Sequence, residues 1–264
     1  MIRPLRPFRA ILRFIGRGSL IFANNAGGMG LLVAQSVKAT VLGQVPFREI
    51  MHQAVIMGIA SVPLVMVTAV LSGVVTSQQG GYQFTSSIPL YVLGSIVVNS
   101  VVLELGPVMT AFVIIGRVGA RITAELGTMV VSEQIDALYS LGRDPVRVLA
   151  APRIIAGIMV MPVLVALADF VGMFAGMFAA RFTVGLGPEA FWYGARLFWH
   201  SWDLFYSILK AGAFGLMIPV ISTHMGLTTH GGAEGVGRNT TTSVVFMIIT
   251  ILVVDALFPP LFLQ

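Results

Sequence analysis

Residues 116–153 read GRVGARITAELGTMVVSEQIDALYSLGRDPVRVLAAPR. This stretch holds five of the sixteen basic residues and four of the eleven acidic residues, although long apolar runs precede and follow it. A charged segment between two membrane spans is costly to bury in hydrocarbon, so we expect it to lie outside the bilayer. Its length and its helix-prone sequence predict that it contacts a partner there.

The composition is that of a membrane protein. The 264 residues are 56% hydrophobic and only 10% charged, with a mean hydropathy of +0.91. A soluble domain carries about 25% charged residues, so this chain cannot coat a soluble surface. Apolar runs of about 20 residues are typical of transmembrane helices. We therefore predict an all-α integral membrane protein with five spans, at residues 54–77, 88–115, 148–180, 204–225 and 243–262.

The first residues predict a separate element. Arg6, Arg9, Arg13 and Arg17 recur every three or four residues, with apolar residues between them. This spacing is typical of a basic amphipathic helix in the inner-leaflet interface. The alternative is a disordered basic tail, but the apolar stripe favours an interfacial helix over residues 1–22.

Lysine and arginine residues predict the orientation of the spans. With the N-terminus inside, 13 of the 16 basic residues are cytoplasmic, whereas the reverse orientation leaves only three inside. We therefore predict a cytoplasmic N-terminus, a cytoplasmic 116–153 segment and an outward-facing C-terminus. The three remaining basic residues, Arg181, Arg196 and Lys210, are then expected outside or near the outer interface.

The apolar residues of the 116–153 segment change helical face near residues 127–132, which predicts a break between two short helices. The second helix is amphipathic. Its polar side carries Glu133, Asp136 and Ser140. Its apolar side carries Val131, Ile135 and Leu138. Gly142 suits a C-terminal cap and Pro145 resists continuation, so this docking helix is expected to end there.

Three acids lie inside predicted spans, where a charge costs roughly 2.5–3.5 kcal/mol on insertion scales. Glu104 is the most suggestive, because Pro107 cannot donate a hydrogen bond to the carbonyl of Leu103 and so opens the helix beside a carboxylate. Two interpretations of Glu104 stay open: a group lining a substrate cavity, and a carboxylate bonded to a neighbouring span. For Asp169 and Asp255 the packing interpretation is favoured.

Other chemistry is sparse. The chain has no cysteine, and neither of its two lysines follows a glycine-rich phosphate loop. Ser207-Ile-Leu-Lys210 matches a Ser-x-x-Lys pattern, a weak signal without companion motifs. The four histidines lack metal-ligand spacing. We therefore predict no catalytic residue, no metal, no cofactor and no nucleic-acid partner.

Several blocks of the sequence resemble one known family. They are Glu104-Leu-Gly-Pro-Val108, GRVGARITAELG at 116–127, Glu133-Gln134, Asp144-Pro145, Pro152-Arg153 and Arg238-Asn-Thr-Thr-Thr242. In this order and spacing they resemble the MlaE (YrbE) family of ABC-transporter permeases. The similarity covers nearly the whole chain beyond Arg48.

The resemblance implies a single permease domain over 1–264, with an interfacial region over 1–48, a transmembrane bundle over 54–262 and a coupling insert at 117–147. It implies a homodimer in the bacterial inner membrane that binds a separate ABC ATPase. Further implied partners are an MCE-domain protein on the outer face and a small accessory subunit on the ATPase. Such transporters move phospholipid or related hydrophobic molecules between inner and outer membranes and so maintain outer-membrane asymmetry.

The resemblance also implies site residues. The ATPase would dock on a coupling helix centred on residues 133–138, with coupling residues Arg117, Arg121, Glu133, Gln134, Asp136 and Leu138. Glu104 and Leu105 would line a lipid cavity at the dimer axis, with Thr76 and Ser87 in its outer wall. We expect Gln79 as a further polar point. The apolar wall is expected from Val70, Leu71, Val74, Val97 and Val101.

Two other classes of function stay open. One is an intramembrane enzyme that uses Glu104, Asp169 or Asp255 as an acid–base pair, and the other is an ion-coupled carrier built on the same carboxylates. An enzyme should show two polar groups within hydrogen-bond reach inside the membrane. A carrier should transport without an ATPase.

Overall fold

The computed structural model describes residues 6–84 and 89–262, with side chains from residue 23 onward. In this part of the chain every regular element is helical. The α-helices are α1 (Arg6–Val41), α2 (Phe47–Met57), α3 (Val62–Gln83), α4 (Val92–Ser100), α5 (Gly106–Ile114), α6 (Ala120–Val131), α7 (Gln134–Ser140), α8 (Ala151–Val184), α9 (Pro188–Leu197), α10 (Ser201–Leu227) and α11 (Gly232–Phe262).

Short segments of other helical types join several of these helices into longer ones. A 3-10 turn, Ile59–Ser61, links α2 to α3. Three π-helical segments, Val101–Leu105, Ile115–Gly119 and Val146–Ala150, link α4 to α5, link α5 to α6 and lead into α8. Five of the described helical stretches are long and apolar enough to cross a membrane: span 1 (Phe47–Gln83), span 2 (Val92–Val131), span 3 (Val146–Val184), span 4 (Ser201–Leu227) and span 5 (Gly232–Phe262).

The five predicted spans are confirmed, but span 2 is longer than expected. The sequence predicts its end at residue 115, whereas the π segment Ile115–Gly119 continues without a break into α6. Span 2 therefore has 40 residues. At about 1.5 Å per residue it is about 60 Å long, twice the hydrocarbon thickness of about 30 Å, so one end protrudes.

Helix α1 is also longer than expected, with 36 residues. Its backbone is helical from Arg6, within the predicted interfacial helix, but the side chains of residues 6–22 lie outside the described part. The helix ends before Gly43, which adopts a left-handed φ of 65°. Farther back, α1 packs against α10, where the ring of His224 lies 3.3 Å from the amide oxygen of Asn25.

The predicted break after α6 is confirmed. Helix α6 ends at Val131 and α7 begins at Gln134, with Glu133 between them in a left-handed conformation (φ 59°). The far end of α7 forms a Schellman cap, since Gly142 N–H donates to Tyr139 O and Arg143 N–H donates to Leu138 O. The two helices are thus separate units with their own faces.

Helix α8 is the centre of the bundle, because it packs against α2, α3 and α10. Small residues allow the closest of these contacts. A Cβ atom at Gly73 of α3 would lie 2.1 Å from the carbonyl oxygen of Gly172 on α8. Spans 1 and 5 bury the smallest share of their apolar residues within the chain.

We expect Gly73→Ala to destabilise the bundle by about 1–3 kcal/mol, because the added methyl group meets backbone that cannot rotate away. Gly212→Ala in α10 is the matched control, since no atom lies within 4 Å of the added Cβ. The apparent melting temperature in detergent measures both effects. Equal melting temperatures for the two variants would contradict the close α3–α8 packing.

Candidate functional site

An open groove of about 710 Å³ lies between α3 and the part of span 2 around Glu104. Four of the five predicted cavity residues line it: Thr76, Gln79, Glu104 and Leu105. The fifth, Ser87, lies outside the described residues. Helices α3 and α4 with the following π segment therefore bring these four side chains to one surface.

The wall of this groove is less polar than its residue names suggest. The hydroxyl of Thr68 donates to Val65 O, that of Ser72 donates to Ala69 O, and that of Thr76 donates to Ser72 O. Because these hydroxyls are satisfied on their own helix, they offer little hydrogen bonding to a bound molecule. The other lining side chains include Leu71, Val75, Ile96, Leu105 and Met109.

Part of the predicted apolar wall is wrong. Val97 and Val101 are buried in the packed core, and Val70 and Val74 line a different groove between α3 and α8. The π segment Val101–Leu105 is the reason on span 2. It holds an extra residue per turn relative to an α-helix, so Leu105 turns away from the face of Val97 and Val101.

Glu104 is joined to a buried cation that the sequence places elsewhere. The ammonium of Lys210 on α10 is 2.7 Å from Glu104 Oε2 and 2.5 Å from Asp255 Oδ1 on α11. The Lys210 side chain is 0% exposed, whereas that of Glu104 is 43% exposed and faces the groove. Spans 2, 4 and 5 thus meet at one ion-pair cluster, and the expected position of Lys210 near the outer interface is wrong.

The carbonyl that Pro107 leaves unbonded has a partner. Lys210 Nζ donates a hydrogen bond of 3.0 Å to Leu103 O, in addition to its bond to Glu104. The ring of Tyr206 lies one helical turn before Lys210, with its centroid 5.4 Å from the ammonium. Lysine is stable at this buried position because two carboxylates and a backbone oxygen replace its hydration.

Asp169 is a separate group. Its Oδ2 accepts a hydrogen bond of 2.9 Å from Ser207 Oγ, and both residues are buried. The Ser207 hydroxyl therefore contacts Asp169 rather than Lys210, three residues later on the same helix. This contact agrees with the packing interpretation of Asp169. For Asp255 the packing interpretation is incomplete, since this carboxylate is half of the charge that compensates Lys210.

The six predicted coupling residues fall into two groups. Glu133, Gln134, Asp136 and Leu138 lie together on α7 and the residue before it. On this helix Ile135 is buried and Leu138 half-buried, while Glu133, Asp136 and Ser140 are exposed, as the pattern predicts. Val131 is exposed instead of sharing the apolar side, because it belongs to α6, before the break.

Arg117 and Arg121 form the second group, at the protruding end of span 2. They line a pocket against α2, and Arg117 Nη1 donates 2.7 Å to Ser61 Oγ at the 3-10 turn of span 1. Arg153 lines the same pocket from α8 and pairs with Glu125 at 2.7 Å. This side chain is 2% exposed, whereas the sequence places it in a solvated cytoplasmic loop.

The arrangement of Lys210 shows which signal the sequence analysis missed. Lys210 lies inside the predicted span 204–225, and a charge within hydrocarbon predicts an opposite charge nearby. Pairing it with Asp255 and Glu104 was therefore possible in principle. Their choice over Asp169 depends on how the helices are rotated in the bundle. Among the described residues, no group of three or more His, Asp or Glu side chains could hold a metal ion.

Comparison with known proteins gives one family. The family model "Permease MlaE" matches residues 50–260. A probable ABC transporter permease protein of Rickettsia felis is 34% identical over 254 residues, covering 96% of this chain and 98% of that protein. A probable ABC transporter permease protein of Synechocystis is 38% identical, covering 80% of each.

A plant protein is similar as well. The chloroplastic protein trigalactosyldiacylglycerol 1 of Arabidopsis thaliana is 32% identical over 234 residues, covering 89% of this chain and 67% of that protein. The match to the family model and the near full-length similarity to the bacterial permeases agree with the five membrane spans. The chain belongs to the MlaE family of ABC transporter permeases and is a multi-pass membrane protein.

Proposed function

We propose that this permease moves phospholipid or a related two-chain lipid between the inner and outer membranes, driven by a separate ATPase subunit. The groove beside Glu104 carries the proposal. It offers an apolar wall, hydroxyls already bonded to their own helix, and one accessible carboxylate. A surface of this kind suits acyl chains, with a polar head group near Glu104. The name of the plant relative, which contains that of a diacylglycerol lipid, supports a lipid substrate.

We propose further that two copies of the chain enclose the lipid. The groove is open on one side, and five spans with one Glu104 are too few to surround a molecule with two acyl chains. Spans 1 and 5 have the largest exposed apolar surfaces, which supports a dimer that meets around spans 1, 2 and 5. The two Glu104 side chains would then lie near the dimer axis.

The partners and the orientation are also proposals. As an ABC transporter permease the chain works with an ATPase, and we place that subunit on α7, in the cytoplasm of a bacterium. An MCE-domain protein would receive or deliver lipid at the outer face, and a small accessory subunit would bind the ATPase. The excess of basic residues at the α7 end supports the inner membrane with a cytoplasmic N-terminus.

Glu133→Lys combined with Asp136→Lys is expected to weaken ATPase docking or to uncouple ATP hydrolysis from transport. Both side chains are exposed on the polar side of α7, so reversing their charge changes a docking surface without disturbing the fold. Co-purification of the ATPase and its lipid-stimulated hydrolysis rate measure the effect. The matched control is Arg143→Glu with Arg147→Glu, just beyond α7. A double-lysine complex that assembles and transports like the parent would contradict the docking site.

Photo-reactive side chains at Leu105 and Thr76 test the substrate. In vesicles, both positions are expected to capture phospholipid, because both line the groove. A photo-reactive side chain at Ser61 is the control, since this residue is fully buried away from the groove. Failure of both groove positions to capture any lipid, in a folded protein, would overturn the proposed function.

The ion-coupled carrier is the strongest rival, because Glu104, Lys210 and Asp255 do meet inside the membrane. However, the Lys210 ammonium occupies the position between the carboxylates where a transported cation would bind. The enzyme alternative has hydrogen-bonded polar pairs, as it requires, but Ser207 and Lys210 are both 0% exposed and so meet no substrate. Transport by the purified permease without its ATPase would favour the carrier.

A further inference from the structure

A second pocket, of about 250 Å³, lies at the end of the bundle that carries α7. It is formed by the start of span 1, the end of span 2 and the start of span 3, which meet at the same end because successive spans alternate in direction. Its polar lining residues are Glu49, His52, Gln53, Arg117, Arg121, Glu125 and Arg153. The family resemblance assigns no ligand to this pocket.

The pocket carries an excess of positive charge. Its lining includes three arginines and two glutamates, so the sum is +1 with His52 neutral. Glu125 is bonded to Arg153, and Glu49 accepts a hydrogen bond of 3.1 Å from Gln53. Neither carboxylate is closely paired with Arg117 or Arg121. A single negative charge bound here would neutralise the pocket.

Several guanidinium donors remain for such a ligand. Arg117 uses Nη1 on Ser61, and Arg121, 60% exposed, is 3.9 Å from the nearest oxygen of Glu125, too far for a hydrogen bond. Arg153 bonds through Nη2 and Nη1, but its buried Nε has no hydrogen-bond partner in the described part of the chain. Arginine binds phosphate through two parallel N–H donors, so Arg117 and Arg121, one helical turn apart, form a suitable pair.

The size and the apolar lining point to part of an amphiphile. A volume of 250 Å³ holds about eight water molecules at about 30 Å³ each. That is more than one inorganic ion needs and too little for a whole phospholipid. The rest of the lining is apolar and would contact the first methylene groups: Ile56, Met57, Val118, Ile122, Met129 and Leu149.

We propose that this pocket binds the phosphate diester head group of an anionic phospholipid, at a site distinct from the groove beside Glu104. Arg117 and Arg121 hold the phosphate oxygens, and Arg153, fixed by Glu125, supplies positive charge from span 3. The hydrogen bond between Arg117 and Ser61 ties the site to the turn where span 1 passes from α2 to α3. The inference rests on the proposed lipid transport and adds a lipid site on the α7 side of the permease.

A photo-reactive side chain at His52, which lines the pocket, tests the site. The protein is reconstituted in phosphatidylcholine vesicles that contain a small fraction of phosphatidylglycerol. Captured lipid is expected to be enriched in phosphatidylglycerol. Arg121→Gln should lower this capture about tenfold or more, since a hydrogen bond to a charged group contributes about 1.5–3 kcal/mol. Arg143→Gln, which removes the same charge from the exposed segment after α7, should leave capture unchanged.

The remaining arms separate the outcomes. Equal capture in the Arg121 and Arg143 variants would show surface attraction only and would overturn the site. Loss of capture on adding inorganic phosphate would assign the pocket to soluble phosphate groups and overturn the head-group assignment. Lipid capture at Leu105 without capture at His52 would sink this inference alone, whereas no capture at either position would sink the proposed function as well. Capture at His52 alone would leave the lipid site standing without the transport groove.

Discussion

Lys210→Met is expected to destabilise the permease by about 3–5 kcal/mol, the usual cost of leaving buried charges without their partner. Methionine has nearly the volume of lysine, so the loss comes from charge rather than from a cavity. Glu104 and Asp255 would then face each other with no cation between them, and Leu103 O would lose its donor. The apparent melting temperature in nanodiscs, followed by tryptophan fluorescence, measures the effect.

Removal of all three charges provides the control. The variant Glu104→Gln, Lys210→Met, Asp255→Asn keeps the side-chain volumes and leaves no unpaired charge, so it should recover most of the lost stability. Ser207→Ala, one turn before Lys210, should cost only about 1 kcal/mol, because it removes a single hydrogen bond to Asp169. A Lys210→Met protein that melts with the parent would show that the cluster contributes nothing to the fold.

Leu105→Arg is expected to slow lipid transport roughly 100-fold, while ATPase binding stays intact. A charge in an apolar membrane environment costs roughly 2.5–3.5 kcal/mol, and an acyl chain that passes along the groove would meet it directly. Leu105 is half-buried and lines the groove beside Glu104. Lipid transfer between vesicles by the purified complex measures the rate, and co-purification of the ATPase confirms assembly.

Two variants bracket this result. Leu105→Met keeps an apolar side chain of similar volume and should transport like the parent. Asp169→Asn changes an intramembrane carboxylate outside the groove and should have a much smaller effect than Leu105→Arg, because Asn can still accept from Ser207. If Asp169→Asn alone abolished transport and Leu105→Arg did not, the groove would not be the substrate path, and the ion-coupled carrier would be favoured.

Local signals in the sequence were sufficient for the outline of this protein. Runs of apolar residues gave the five spans, because a helix in hydrocarbon must satisfy its own backbone and exclude charge along about 20 residues. The change of apolar face near Gly127 predicted the break before α7, and Gly142 predicted its cap. The motifs beside Glu104 and Arg117 were sufficient for the family.

Tertiary structure alone decided which side chains meet. Lys210 pairs with Glu104 and Asp255 rather than with Asp169, because partners on different spans depend on the rotation and tilt of each helix, which hydropathy does not encode. The π segment Val101–Leu105 turns Leu105 into the groove and leaves Val101 in the core, a shift that straight-helix spacing cannot predict. Likewise, Arg117 and Arg121 face α2 instead of joining α7, since span 2 continues through its second π segment as one long helix.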